Sequence, residues 1–105
     1  MRPKIGKACQ KLSSSKFLSI RLGAMNALRA MRDRRSIPAL IKRLDDSDSN
    51  VQYLALITLS ETVGKQDGDF APTLYLFDKK PQFYLDLWKD WIQKEGDSLA
   101  VSPEK

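Results

Sequence analysis

"SIPALIKRLDDSDSNVQYLALITLS", residues 36–60, sets two short apolar helix patterns on either side of an acidic, serine-rich hinge. Ile37, Leu40, Ile41 and Leu44 share one helical face, and after the hinge Val51, Leu54, Ala55, Leu59 and Val63 share another. Pro38 suits the first turn of a helix, where its missing N–H costs little, and Ser36 is the expected cap. Upstream, Phe17, Ile20, Ala24, Leu28 and Met31 repeat the rhythm, with residues 13–15 as serine cap candidates. Overlaying the segments shows why. Ile20, Arg21, Leu22, Ala24, Met25 and Leu28 match Val51, Gln52, Tyr53, Ala55, Leu56 and Leu59 at an offset of 31. Ile5, Ala8, Cys9 and Leu12 match Ile37, Leu40, Ile41 and Leu44 at an offset of 32. A helix-pair period of this length is the signature of an α-solenoid, in which each amphipathic unit buries its apolar face against a neighbour.

The pattern predicts helices over 4–12, 16–31, 37–44 and 50–63, with Gly64 closing the last of these. Residues 65–80, with Asp-Gly, Pro72 and scattered aromatics, read as an irregular, partly packed loop. A strand at 73–77 is an alternative that lacks a partner. A final helix is expected over 81–95, starting at Pro81 and stopping at Gly96, with a frayed tail over 97–105. Its Phe83, Tyr84, Leu87, Trp88, Trp91 and Ile92 form a stripe, read as core folding over residues 51–63, with Tyr84 or Trp91 at the surface edge. Residues 1–96 then make one small domain.

The chain has one cysteine and no histidine, which excludes an internal disulfide and argues against zinc or histidine chemistry. Cys9 falls on a core face. The hinge acids Asp45, Asp46 and Asp48 lack the spacing, glycine and terminal glutamate of an EF-hand and read as helix caps. No phosphate-binding glycine loop, nucleophile elbow or metal constellation is present, so no catalytic residue, metal or cofactor is expected and an enzyme is the poorest reading. No apolar run spans a bilayer and the N-terminus makes a poor signal peptide, which points to the cytoplasm.

The segment "IRLGAMNALRAMRDRRSIPALIKRLDDSDSNVQYLALITLSETVG", residues 20–64, resembles HEAT repeats of the short bacterial type, also found in phycobilisome-lyase-like proteins. The resemblance rests on Ile20-Arg21, Ala24, Leu28, Asp33, Ile37-Pro38-Ala39-Leu40-Ile41, Leu44, Asp46, Asp48 and Val51-Gln52, and covers roughly residues 5–64. "YLDLWKDWIQKEG" is similar to the aromatic helix that closes some of these proteins. The resemblance implies an all-α fold, a short right-handed α-solenoid of antiparallel helix pairs closed by that C-terminal helix. It also implies that Arg21 pairs with acids and carbonyls in the hinges. One complete helix pair is clear, so the stack is a minimal capped solenoid, a piece of a longer one, or a chain completed by a partner.

Charge is divided between the halves. Residues 1–43 carry twelve Lys/Arg and one acid, while residues 44–105 carry six bases and twelve acids, for a net +5. Lys11 and Arg43 are repeat-mates, as are Gln10 and Lys42. The resemblance places such second helices on a concave surface, which implies a basic strip of Lys7, Lys11, Lys42 and Arg43, extended by the turn residues Arg32, Arg34 and Arg35. Long cationic side chains also serve as an ordinary solvated face. Read as a site, the strip fits an acidic protein surface, and alternatively the phosphate backbone of nucleic acid, which needs only suitably spaced cations. The expected function is a non-catalytic scaffold, with homo-oligomerisation through the unpaired N-terminal helix as a further possibility.

Overall fold

The computed structural model describes residues 12, 13 and 15–99, with side chains through residue 95. Residues 4–11, including Cys9, Lys7 and Lys11, and the tail from 100 lie outside the described residues. No strand occurs among the described residues, and the helices are α1 (Leu18–Met31), α2 (Ile37–Arg43), α3 (Ser49–Val63), α4 (Leu74–Lys79) and α5 (Pro81–Leu99). The fold is an all-α stack built around α3, which packs against α1 and α2 and also against α4 and α5.

Local chemistry sets the boundaries. α1 follows Phe17, whose extended backbone offers no capping side chain; its N–H donates to Ser15 Oγ at 3.2 Å. The helix ends at Arg32 in the left-handed region (φ 50°), whose N–H bonds Leu28 O at 3.1 Å. A single 3-10 turn, Arg34–Ser36, then intervenes, and Asp33 caps it by accepting from Arg35 N. Ser36 therefore does not cap α2 as the sequence suggested. It is buried in the link, and its hydroxyl donates to Asp33 O at 2.6 Å. Asp48 does cap α3, accepting from Asn50 N (2.8 Å) and Val51 N (3.2 Å), and Gly64 ends it at φ 76°.

The expected irregular loop over 65–80 needs correction. It holds a 3-10 turn, Gly68–Phe70, and then α4, capped by Thr73 Oγ1 accepting from Leu76 N at 3.2 Å. The strand alternative at 73–77 is a helix. Tyr53 of α3 donates its hydroxyl to Pro72 O at 2.9 Å, and Trp88 Nε1 donates to Phe70 O at 2.8 Å. These two bonds fasten the connection to α3 and α5. The last helix also outruns its expected stop at Gly96, continuing to Leu99 across a break at Glu95 (φ −107°, ψ 15°).

The core joins Met25 and Leu28 of α1, Leu40 of α2 and Leu44 beyond it, Leu56 and Leu59 of α3, Phe77 of α4 and Trp88 of α5. Each contributes about 1.5–3 kcal/mol over its exposed state. Ile41, assigned to the core from its spacing, is only half buried, as is Trp91, while Tyr84 is buried. Phe70 meets Trp88 edge-on at 5.3 Å, and Trp88 meets Trp91 likewise. The aromatic stripe is a closing layer over α3 except at Phe83, which the spacing assigned to the core and which is 49% exposed.

Candidate functional site

The cations of the N-terminal half divide into those held inside the fold and those facing solvent. The hinge between α2 and α3 holds the first kind. Asp46, whose side chain is 1% exposed, lies between two guanidinium groups. Its Oδ1 accepts from Arg21 Nη2 at 3.2 Å and from Asp48 N at 2.9 Å. Its Oδ2 accepts from Arg43 Nη1 at 3.0 Å. Arg21 Nε stands 2.9 Å from Oδ2 without hydrogen-bond alignment, and Arg21 Nη1 donates to Ser15 O at 2.9 Å. The guanidinium thus joins two hinges with donors in fixed directions, which an ammonium group could not do. Its repeat-mate Gln52 donates to Leu44 O at 3.3 Å, the same task without charge. Asp45 pairs with Lys89 of α5. Each hinge carboxylate therefore has a cap or cation partner, and no group of three His, Cys, Asp or Glu suited to a metal occurs among the described residues.

A second internal pair lies between α1 and α3. Arg29 Nε and Nη2 donate to Glu61 Oε1 and Oε2 at 2.9 and 2.8 Å, a two-pronged geometry. These bonds hold the Glu61 carboxyl below its usual range against the opposing effect of burial, and raise the Arg29 guanidinium. Sequence reasoning missed this pair. The signal was available, because Ser60, next to Glu61, is the repeat-mate of Arg29 at the offset of 31, and opposite charges one position off that register fall on neighbouring helices.

The expected site residues separate accordingly. Arg43 is not an outward cation. It is only 19% exposed and bonded to Asp46, three residues on, because the chain turns back at the hinge. Arg35 is exposed but chelates Asp33 through Nε and Nη2, which lowers the Asp33 carboxyl and raises the Arg35 guanidinium. Arg32 is 64% exposed, with Nη2 3.8 Å from Glu61 Oε1. Arg34 and Lys42 are exposed and form no ion pair among the described residues. Arg32, Arg34 and Arg35 sit together on the α1–α2 link. Lys42 stands at the other end of α2, about 10 Å away at helical rise. Lys7 and Lys11 lie outside the described residues.

The backbone of Arg32 adds an observation that charge counting cannot supply. α1 and α3 both end in a left-handed residue, Arg32 and Gly64, which stand 32 apart. Glycine adopts that conformation without penalty, whereas a side chain costs about 1 kcal/mol or more. Arg32 is the one non-glycine residue at positive φ among the described residues.

No described helix is long and apolar enough to cross a membrane. No curated protein and no solved structure gives a significant match to the chain. A family profile of HEAT repeats matches residues 5–76. That match spans the repeat offsets, the capped hinges and helices α1, α2 and α3, and the chain belongs to the HEAT-repeat family.

Proposed function

We propose that the protein is a non-catalytic scaffold that binds an acidic protein partner through the cations of the α1–α2 link and the exposed side of α2. HEAT repeats commonly serve as protein-interaction scaffolds. The observation that carries the reading is Arg32. It occupies a left-handed position served by glycine at the equivalent helix end, and its ion pair at 3.8 Å from a largely exposed side chain offsets little of that cost. An exposed cation kept in a strained position fits a role in contact with something outside the fold. Arg34 and Lys42 supply further charge without breaking internal pairs, whereas Arg43 belongs to the structural hinge. A cytoplasmic location suits such a scaffold.

The test compares the wild type with Arg32→Gly and with the double variant Arg34→Glu/Lys42→Glu. The probes are a glutamate-rich peptide and a duplex DNA of similar charge, each labelled, at the same salt concentration. Arg32→Gly should fold at least as stably as the wild type yet bind the peptide several-fold more weakly, and the double variant should lose about tenfold or more. Unchanged peptide affinity in both variants would sink the proposal. Tighter, steeply salt-dependent binding of the DNA would favour the nucleic-acid alternative.

A further inference from the structure

Residues 1–43 contain twelve Lys/Arg and a single acid, Asp33, and that acid stands within the basic link, between Arg32 and the pair Arg34 and Arg35. Its carboxylate has two tasks. Oδ1 accepts from Arg35 N at 2.9 Å and so caps the 3-10 turn. The two oxygens also grip the Arg35 side chain, with Nε 3.2 Å from each and Nη2 2.9 Å from Oδ2. The backbone beneath is fixed, because Ser36 N and Ser36 Oγ both donate to Asp33 O, at 2.9 and 2.6 Å. Capping alone does not call for a charge. Asparagine caps a helix start as well as aspartate does, and the chain caps α4 with the neutral Thr73. What the charge adds is neutralisation of Arg35, whose side chain is 47% exposed and makes no other ion pair among the described residues.

We propose that Asp33 sets the partner class of this site by disfavouring the phosphate backbone of nucleic acid, an inference that rests on the proposed function. Asp33 leaves residues 32–35 with a net charge of +2 from three arginines. Duplex DNA carries about one charge per 1.7 Å of axis at fixed spacing, so a duplex laid across the link sets phosphate against Asp33 as well as against the arginines. An acidic protein surface has no such constraint. Its carboxylates can stand opposite Arg34 and Lys42, which form no ion pair among the described residues, and leave neutral groups opposite Asp33. A like charge set against the unwanted ligand gives specificity that attraction to the wanted one cannot supply. The Asp33 carboxyl is held below its usual range, chiefly by the side-chain bonds from Arg35, so it stays charged at neutral pH. A half this basic otherwise attracts polyanions of any kind.

Asp33→Asn keeps a capping side chain and removes the charge, and Asp33→Ser, a second neutral cap, should give the same result. Circular dichroism and thermal unfolding check that these and the double variant Asp33→Asn/Arg35→Gln remain folded. Binding of labelled duplex DNA and of a labelled glutamate-rich peptide is then measured over a salt series. Asp33→Asn should bind the DNA about tenfold more tightly at low salt, with the slope of log K against log salt steeper by about one. Its affinity for the peptide should rise by less than about threefold. The double variant has the net charge of the wild type and should return to the wild-type DNA affinity. Unchanged DNA affinity in Asp33→Asn overturns the inference. So does an equal gain for both ligands, which would make Asp33 a general repulsion, or a double variant that keeps the full gain, which would leave Arg35 without a part. A wild type that does not bind the peptide overturns the proposed function instead, and the DNA comparison still decides whether Asp33 repels a polyphosphate.

Discussion

α1 and α3 are repeat-mates 31 residues apart, yet they are buried to different extents. α1 buries one stripe, Ala24, Met25 and Leu28. α3 is buried without interruption from Ala55 to Ser60, all the way round the helix. Thr58 and Ser60 go inside together with Leu56 and Leu59, and the Ser60 hydroxyl meets the requirement for a partner by donating to Ile57 O at 2.7 Å. The sequences of the two helices follow one template, so the difference comes from their place in the stack. α3 is a middle layer, with neighbours on several sides. α1 is covered on one side by α3 and exposes Ile20 and Asn26 where its mate buries Val51 and Ile57. In a repeat fold the pattern of a unit decides that it packs, and its position decides how much of it packs.

Substitutions at equivalent sites can break that comparison. The largest effect is expected at the hinge that joins the two layers. Asp46→Ala leaves Arg21 and Arg43 facing each other without their carboxylate and should cost about 3–5 kcal/mol in urea unfolding. A loss below 1 kcal/mol would mean that the hinge charges are not coupled as the distances suggest. Next comes the mate pair itself. Val51→Ala should cost about 2–3 kcal/mol by lost burial and cavity formation, whereas Ile20→Ala should cost less than about 1 kcal/mol. Equal losses would erase the distinction between middle and outer layer.

A smaller and pH-dependent effect belongs to the Arg29–Glu61 strut. The Glu61 carboxyl is lowered in the folded state, chiefly by its hydrogen bonds to Arg29. A lowered carboxyl contributes stability that is fully present above its unfolded value of about 4.3 and is lost as pH falls through the folded value. Glu61→Gln should therefore cost about 1–2 kcal/mol at neutral pH, a figure held down by the partial exposure of Arg29. The gap to the wild type should close as the pH drops below about 4. A gap that persists in acid would assign the loss to packing instead. Arg32→Gly is the smallest in stability and has the opposite sign, a gain of about 0.5–1 kcal/mol from relief of the left-handed backbone.

The repeat made most of this legible before any coordinates. Offsets of 31 and 32 located α1, α2 and α3, the polar hinge composition gave the cap Asp48, the family resemblance the hinge role of Arg21, and the apolar stripe over 83–92 the closing aromatic helix. The misreadings have local causes. α4 has six residues, too few for a periodic stripe, and three of its first-turn side chains are exposed apolar groups that scramble any stripe. α3 offers the converse case, because burial on every side removes the polar face from which periodicity is read. Ser36 looks like a cap only if α2 begins directly after the link, and the 3-10 turn from Arg34 moves that duty to Asp33. Arg43 points outward on an extended helical wheel, but the chain reverses after Leu44 and brings Asp46 back to it. Of the expected basic strip, the link arginines Arg32, Arg34 and Arg35 and the isolated Lys42 remain at the surface. Sequence spacing could not show which of the cations already had internal partners.

Native-state hydrogen exchange read residue by residue tests the layered arrangement most directly, because protection reports the free energy needed to open each segment. If α3 is the middle layer, the amides of residues 55–60 exchange slowest, at the rate of global unfolding, and those of residues 21–27 in α1 exchange measurably faster through local opening. Equal protection in the two helices, or slower exchange in α1, would contradict the account.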